Sequence, residues 1–334
     1  MARFSSRRVN IGFKKEAVRG TAETSGFYWY PFLTADFIDK TDKKKNESVF
    51  GNIAKNNDEI TTLHRGEGAL TGKMWQKGIG YLLTWLSGAS PVSTAVGGDA
   101  AATSHAYTPV LTGANANSHQ SFTNAAIDPN QNLAFALSML DSFKLTWVKD
   151  DFAKIEINSQ SKASASASNT ATFTAEPEFL PKHLAVKIAT NLAGLTGATE
   201  SGEIVGITLE FKKNLKVIQT SKSKDQVDEI HNVEWEVTGS IEKYYVDATF
   251  HDYDKNDTKV AMRLDFIDSV NLAGTTTPTS LRLDFARVGF SNWKPGYGTS
   301  DISTETLDIE AFFSVADGSV FLPTLVNNQA PGTY

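Results

Sequence analysis

The chain has 334 residues, of which 40% are apolar and 21% charged, and its 38 acidic and 32 basic side chains give a net charge of −6. This apolar content is enough for a hydrophobic core and excludes a mostly disordered chain, and the acidic balance argues against broad binding of nucleic acid. The lack of cysteine excludes disulfide scaffolds, iron–sulfur clusters, thiol nucleophiles and Cys-ligated zinc.

Short segments in which apolar and polar residues alternate dominate the chain, and this period of two predicts antiparallel strands with one buried face. In chain order, these strands are predicted at residues 143–147, 205–211, 233–241, 260–266 and 281–285. Helical spacing predicts one helix in the first half, at 74–86, and a weaker one in the second half, at 247–257. The sequence therefore predicts a mainly β protein.

Two stretches are predicted to be connections. Residues 88–126 are rich in small and polar residues and show little periodicity, so we expect a loop insert. A run of Ser and Ala from 161 to 172 lies near the midpoint of the chain. We therefore predict a first domain at 1–165, a linker at 166–182 and a second domain at 183–334.

The two predicted domains resemble each other in sequence. Residues 64–72 match 231–239, with His, Glu, Thr and Gly identical at an offset of 167 (231 − 64). Weaker matches join 20–26 with 197–202, 142–147 with 280–285, and 154–157 with 308–311, in the same order. This order favours an internal duplication, in which one structural unit is used twice.

No catalytic or metal-binding constellation emerges from the sequence. The six histidines form no metal-spaced pair, and neither a nucleophile elbow nor a phosphate-binding glycine loop is present. We expect no enzymatic activity, no metal and no cofactor. The lysine run at 43–45 is flanked by acidic residues, which favours a solvated loop or a contact with a partner subunit over a nucleic-acid patch.

The order of these motifs resembles that of the tail tube (major tail) proteins of long-tailed bacteriophages. The resemblance begins with the segment GFKKEAVRGTA at 12–22 and continues with a polar hairpin loop at 46–58 and a strand ending at Gly72. It includes the Leu82–Leu83 pair in the predicted helix, a Tyr-Thr-Pro segment at 107–109 and the closing stretch 281–320. It covers most of the chain as a series of weak motifs.

The resemblance implies two duplicated β-sandwich or open-barrel domains, each with one short flanking helix and a long polar hairpin loop. It implies stacked rings, either trimeric with pseudo-sixfold symmetry or hexameric, that form a hollow tube conducting double-stranded DNA without specific binding. The implied partners are further copies of the chain and the tail tip or baseplate, tape measure and tail terminator proteins. The protein would be assembled in the host cytoplasm and lie in the virion tail. No run of about 18 apolar residues is present, so no membrane helix is expected.

Particular sheet edges, loops and strand faces of the chain would serve this role. Open sheet edges pair readily with other copies, so a ring can be built by continuing one sheet between subunits. The polar loops would reach the next ring through Lys43, Lys44, Lys45, Asn46, Glu47, Lys222, Lys224 and Asp225. An acidic strand face would line a lumen that repels DNA, with Glu67, Glu234, Glu236 and Glu242 as candidates.

An alternative function is a pair of β-sandwich modules that bind a carbohydrate or a surface, as in an adhesin. This alternative predicts exposed aromatic platforms, for which Tyr28, Trp29, Tyr30 and Trp293 are the candidates. It also favours a secretion signal, and the N-terminal stretch has no apolar segment of the required kind. A β-rich hydrolase is a third and weaker alternative, because no converging acid–base pair can be named.

Overall fold

The computed structural model describes residues 3–51, 53–299 and 301–334. In the first half the strands are β1 (Asn10–Lys15), β2 (Tyr28–Tyr30), β3 (Phe32–Asn46), β4 (Asp58–Lys73), β5 (Val92–Val96), β6 (Asp99–Ala106), β7 (Phe122–Ile127), β8 (Asn132–Val148), β9 (Lys154–Lys162) and β10 (Ala165–Ser166). In the second half they are β11 (Leu184–Ala189), β12 (Ile204–Lys212), β13 (Leu215–Ile218), β14 (Glu229–Asn232), β15 (Glu236–Tyr244), β16 (Val260–Asn271), β17 (Pro278–Gly296), β18 (Thr304–Ala311) and β19 (Leu322–Asn327). The helices are α1 (Gly78–Ser87) and α2 (Thr249–Lys255), with short 3₁₀ turns at Ser6–Arg8, Pro181–His183 and Ala193–Thr196.

The mainly β class is confirmed, and most strands predicted from alternation are present with shifted ends. The predictions at 205–211 and 260–266 correspond to β12 and to the first part of β16. The prediction at 233–241 is wrong at its start, because β15 begins at Glu236 and Val233 is 53% exposed. The backbone N–H of Val233 donates to the carbonyl of Lys213 at 3.2 Å.

Both predicted helices are present, and α1 begins four residues later than the predicted start. A distant carboxylate stabilises this start, since Glu176 Oε2 accepts hydrogen bonds from the backbone N–H groups of Lys77 (2.7 Å) and Gly78 (3.1 Å). The hydroxyl of Tyr28 also donates to Glu176. Burial raises the pKa of Glu176. A carboxylate at a helix N-terminus satisfies donors that have no partner inside the helix.

The expectation of a loop insert at 88–126 is wrong, because β5, β6 and β7 lie there. The first two form a hairpin, and β6 also pairs with β19, with Thr324 opposite Ala106. Strand β7 pairs with β1 and β8. Two of these pairings, β6 with β19 and β7 with β1, join segments far apart in sequence, and the local pattern carries little information about them.

Eight strands form one continuous antiparallel sheet in the order β3-β4-β9-β8-β12-β15-β18-β17. The first four strands belong to the first half of the chain and the last four to the second half. The junction between the halves is the pairing of β8 with β12. One face of this sheet is packed and the other faces solvent; we call the latter the solvent face.

The packed face belongs to a single hydrophobic cluster that extends through both halves. It includes Trp85 of α1, Phe143 of β8, Phe211 of β12 and Phe266 of β16. The C-terminal residue joins it as well, because the ring of Tyr334 packs directly on Gly80, where an added Cβ would lie 2.3 Å from it. The two halves therefore share a sheet and a core, and the division into 1–165 and 183–334 stays a prediction.

The same five strand pairings occur in the same order in each half. In the first half they are β1·β7, β3·β4, β4·β9, β7·β8 and β8·β9. In the second half they are β11·β16, β12·β15, β15·β18, β16·β17 and β17·β18. The sequence match of 142–147 with 280–285 does not follow these pairings. The first segment lies in β8 beside β9 and β12, and the second lies in β17 beside β16 and β19.

Candidate assembly interface

The first open border of the eight-stranded sheet is β3. In the described part of the chain, β3 pairs with β4 and with no other strand. Two apolar side chains on this strand are exposed, Leu33 (52%) and Ile38 (46%). An edge strand carries a row of backbone groups without ladder partners, and exposed apolar residues on it favour pairing with another chain.

The second open border is the C-terminal part of β17. Residues 289–296 pair with β18, and within the described ranges no strand pairs with their other side. Tyr297, which follows the strand, is 68% exposed. Pro295 lies within this segment and has no backbone N–H, which is typical of an edge strand and limits indiscriminate pairing. The two open borders therefore lie at opposite ends of one sheet.

The pairing of β8 with β12 inside the chain shows how the edge of one strand in this sheet is covered by another strand. Seven residue pairs align, from Ser142 opposite Lys212 to Val148 opposite Gly206. On the packed face, the rings of Phe143 and Phe211 lie 5.8 Å apart between centroids. On the solvent face Lys144 lies opposite Glu210, an opposite-charge pair that stabilises this register.

The hairpin formed by β12 and β15 continues outward into a smaller hairpin, which we call the second arm (residues 215–232, β13 and β14 with their turn). This arm lies against the first half of the chain. Val227 and Ile230 are buried against Leu137 and Met139 in a second hydrophobic cluster. Asn117 Nδ2 donates to the carbonyl of Asn232 at 2.8 Å, which holds the strand that returns from the arm.

Basic groups are buried where the second arm meets the first half. Lys213 is 1% exposed, and its Nζ donates to the carbonyl of Trp85 near the C-terminus of α1 at 2.7 Å. Burial lowers the pKa of Lys213 well below its usual value. Arg19 Nη2 donates to Glu229 Oε1 (2.7 Å) and to the carbonyl of Ile230 (2.6 Å). Burial, reinforced by Lys213, lowers the pKa of His119 to about 3.

The hairpin of β3 and β4 ends in a corresponding extension, which we call the first arm (residues 43–61). It is exposed along its whole described length. Its apolar side chains include Val49 (89% exposed), Phe50 (67%), Ile53 (106%) and Ile60 (59%). An exposed group of apolar residues at the tip of a long hairpin is a typical protein contact site.

The residues predicted to contact the next ring lie on these two arms. On the first arm, Lys43 pairs with Glu59 (2.8 Å), Glu47 lies 3.6 Å from Lys55, and the other three predicted residues are exposed (Lys44, Lys45 and Asn46). On the second arm, Lys222 and Lys224 are exposed. Asp225 contacts β4 of the same chain. Its carbonyl accepts a hydrogen bond from the backbone N–H of His64 at 2.7 Å, and its carboxylate lies 3.5 Å from His64 Nε2.

The four predicted lumen carboxylates have different surroundings. Glu67 on β4 accepts from Lys40 at 2.9 Å and lies 3.3 Å from Arg65, so it is part of an ion-pair network. Glu236 and Glu242 are exposed on the solvent face of β15, and neither has an ion pair within the described ranges. Glu234 is exposed but precedes β15, in the break after β14.

The solvent face also carries charges that the prediction missed. One row across five strands contains Glu156, Lys144, Glu210, Thr238 and Glu310 side by side. The signal was present in the sequence, because these residues alternate with buried ones along the same strands. The face is therefore mixed in charge, with unpaired carboxylates on β15 and ion pairs in the first half.

The aromatic residues expected to form a binding platform are mostly in the core. Trp29 and Tyr30 are 6% and 0% exposed. Tyr28 stacks on Tyr81 with ring centroids 4.8 Å apart, and Trp293 Nε1 donates to Glu305 Oε2 at 2.6 Å. This placement removes the platform that the adhesin alternative requires.

Within the described ranges, no group of three or more His, Cys, Asp or Glu side chains could hold a metal ion, and no helix is long and apolar enough to cross a membrane. A model of the phage tail tube protein family matches residues 6–311. No curated protein matches the chain.

Proposed function

The chain belongs to the phage tail tube protein family, and from this premise we propose that its copies polymerise into stacked rings forming a hollow tube that conducts DNA. As a member of this family, the protein is a structural component of a phage tail, and its copies assemble with one another and with other tail components. The finer features that follow are proposals.

The observation that carries the proposal is the pair of open borders at opposite ends of the eight-stranded sheet. When β3 of one copy pairs with the end of β17 of another, the contact joins two different surfaces. The resulting pair of copies still has one free β3 and one free end of β17, so further copies can add. Such a head-to-tail contact closes into a ring when the rotation between copies allows it. The eight-stranded sheets of the copies then form one closed cylinder in which neither border is left open.

We propose that the chain is an internal duplication, with units at 1–165 and 183–334 and a linker at 166–182. The five recurring strand pairings support it. Each unit contributes four strands to the sheet, so a ring of three copies has pseudo-sixfold symmetry. With about 24 strands spaced ~4.8 Å apart and tilted ~40°, the backbone cylinder is about 48 Å wide. That width admits a DNA duplex, whereas six copies would double it, so we favour the trimer.

We propose that the solvent face of the sheet lines the lumen. Its unpaired carboxylates, Glu236 and Glu242 among them, would repel the phosphates of passing DNA. The cations on this face attract DNA phosphates less strongly than free cations would, because several are paired with neighbouring carboxylates, as Lys40 is with Glu67. Glu234 lies outside the strand, and we assign it a weaker contribution.

We propose that the tips of the arms contact the next ring. The tip of the first arm offers exposed apolar and charged groups, and Lys222 and Lys224 offer charge on the second arm. Further proposed partners are the tail tip or baseplate, tape measure and tail terminator proteins. Assembly in the host cytoplasm and the lack of enzymatic activity are also proposals, consistent with the structural role of the family.

Negative-stain electron microscopy of the purified protein tests the proposed function. The expected result is hollow tubes built from stacked rings, either spontaneously at high concentration or after addition of short tube fragments as seeds, because seeds remove the slow nucleation step. A chain that stays monomeric at high concentration in the presence of seeds would contradict the proposal.

A further inference from the structure

We propose that neighbouring copies join through β3 of one copy and residues 292–298 of the next, in the register by which β12 pairs with β8 inside each chain. This inference rests on the proposed function and specifies its partner surface. This register places Ile38 of one copy opposite Lys294 of the other.

Strand β3 corresponds to β12, because three features of the backbone recur at the same spacing in the two strands. Strand β3 has a bulge between Phe32 and Thr34, and β12 has one between Ile204 and Gly206, 172 residues later (204 − 32). The ladder of β3 shifts between Asp42 and Lys43, and β12 is interrupted between Lys212 and Leu215. The outgoing strands end at Asn46 and at Ile218, again 172 residues apart.

Strand β8 corresponds to β17, because the hairpins that they form end in the same way. The last pair of the β8–β9 hairpin is Thr146 opposite Lys154. The last pair of the β17–β18 hairpin is Gly296 opposite Thr304. Both hairpins enclose seven residues, 147–153 and 297–303, so the two ends correspond at an offset of 150.

Because of these two correspondences, the open borders can pair in the same register as the internal junction of β8 and β12. Inside the chain, Val148 lies opposite Gly206 and Lys144 opposite Glu210. Applying the two offsets puts Gly298 opposite Thr34, and Lys294 opposite Ile38. These four residues are exposed in the single chain, as a surface that another copy covers must be.

The arms support the same arrangement. The second arm, which extends from β12, lies against the half of the chain to which β12 is joined, and it buries Ile230 there. The first arm extends from β3 in the corresponding way, but no half-chain lies beside β3 in the single molecule. A neighbouring copy joined at β3 would supply that surface to the base of the first arm, while its tip remains available to the next ring.

Disulfide cross-linking provides a sharp test, because the chain has no cysteine of its own. The test variant is Ile38→Cys with Lys294→Cys, since directly opposite residues have Cβ atoms ~4.5–5.5 Å apart, close to disulfide geometry. Seven strand spacings of ~4.8 Å separate these positions within one chain, about 34 Å, so a bond must join different copies. A second variant in the same register is Thr34→Cys with Gly298→Cys.

The matched control is Thr34→Cys with Lys294→Cys, also at exposed positions. These two positions belong to the same open borders but lie four residues out of the proposed register, about 13 Å along the strand, which is too far for a disulfide. Each pair is also divided between two chains and diluted into excess wild-type chains, so that assembly does not depend on the variants. Tubes are oxidised and run on a non-reducing gel.

We expect both test pairs to give a ladder of covalent oligomers that ends at the trimer, and the control pair to give none. A ladder from the control pair alone, or tubes without a ladder from either test pair, would overturn the proposed register while leaving the tube function intact. Failure of the wild-type chain to form tubes at all would instead contradict the proposed function, and this inference with it.

Discussion

Replacing Ile230 with alanine measures how strongly the second arm is held against the first half. The side chain is fully buried among Leu137, Met139 and Val227. The change removes three carbon atoms, worth about 2.4 kcal/mol at ~0.8 kcal/mol each, and the remaining cavity raises the cost to about 3 kcal/mol. The arm also keeps polar contacts, such as that of Arg19 with Glu229.

Urea unfolding followed by tryptophan fluorescence reports the loss in the free energy of unfolding, and amide exchange of 215–232 reports local opening. The control is Ile60→Ala on the first arm, where the side chain is 59% exposed and the expected loss is below ~0.5 kcal/mol. Equal losses for the two variants, or a loss below ~0.5 kcal/mol for Ile230→Ala, would refute the view that only the second arm is packed in the single chain.

Three further predictions concern titration, helix capping and the lumen. Burial lowers the pKa of His119 from 6.5 to about 3, so protonation of this residue in the unfolded chain favours unfolding as the pH falls from 6.5 towards 3. From pH 7 to pH 5 the free energy of unfolding should decrease by about 2 kcal/mol for this reason, and urea titrations of His119→Gln should lack this decrease. Glu176→Ala should cost about 1–2 kcal/mol in urea unfolding, because two backbone N–H groups at the start of α1 lose their acceptor; a loss near zero would contradict the cap. Reversing charge with Glu236→Lys and Glu242→Lys should leave tubes intact in electron micrographs but reduce DNA delivery by phage that carry the change; equal delivery by these phage and by a Glu200→Lys control would argue against the lumen assignment.

The strands that the sequence predicted well are those whose faces differ in environment. In β12 and the start of β16, alternate side chains face the core, so polarity alternates and the period of two is visible. The hairpin of β5 and β6 lacks this contrast, since most of β5 is exposed and β6 is held by backbone pairing with β19. Such pairing depends on where a distant strand lies, and the local sequence does not indicate that position.

The start of α1 illustrates the same limit for a helix. Apolar spacing located the helix, but Glu176 stabilises its first turn from 98 residues away along the chain. The existence of open sheet borders could be predicted, because an antiparallel sheet that pairs with other copies needs open edges. Their identity as β3 and the end of β17 could not be predicted, since it depends on the order in which eight strands associate.

The register of the proposed internal repeat shows which features side-chain patterns can determine and which only the backbone determines. The sequence match aligns Gly72 with Gly239, whereas the backbone irregularities align Gly72 with Lys243, which pairs at the bulge as Gly72 does. The two alignments differ by four residues, an even number, so every side chain keeps the same face in both. Alternation of apolar and polar residues therefore cannot distinguish them. Bulges and hairpin ends can, because each occurs at one position along a strand. For a repeat built from strands, the positions where the ladder is irregular are thus the better guide to how one half, and in turn one copy, meets the next.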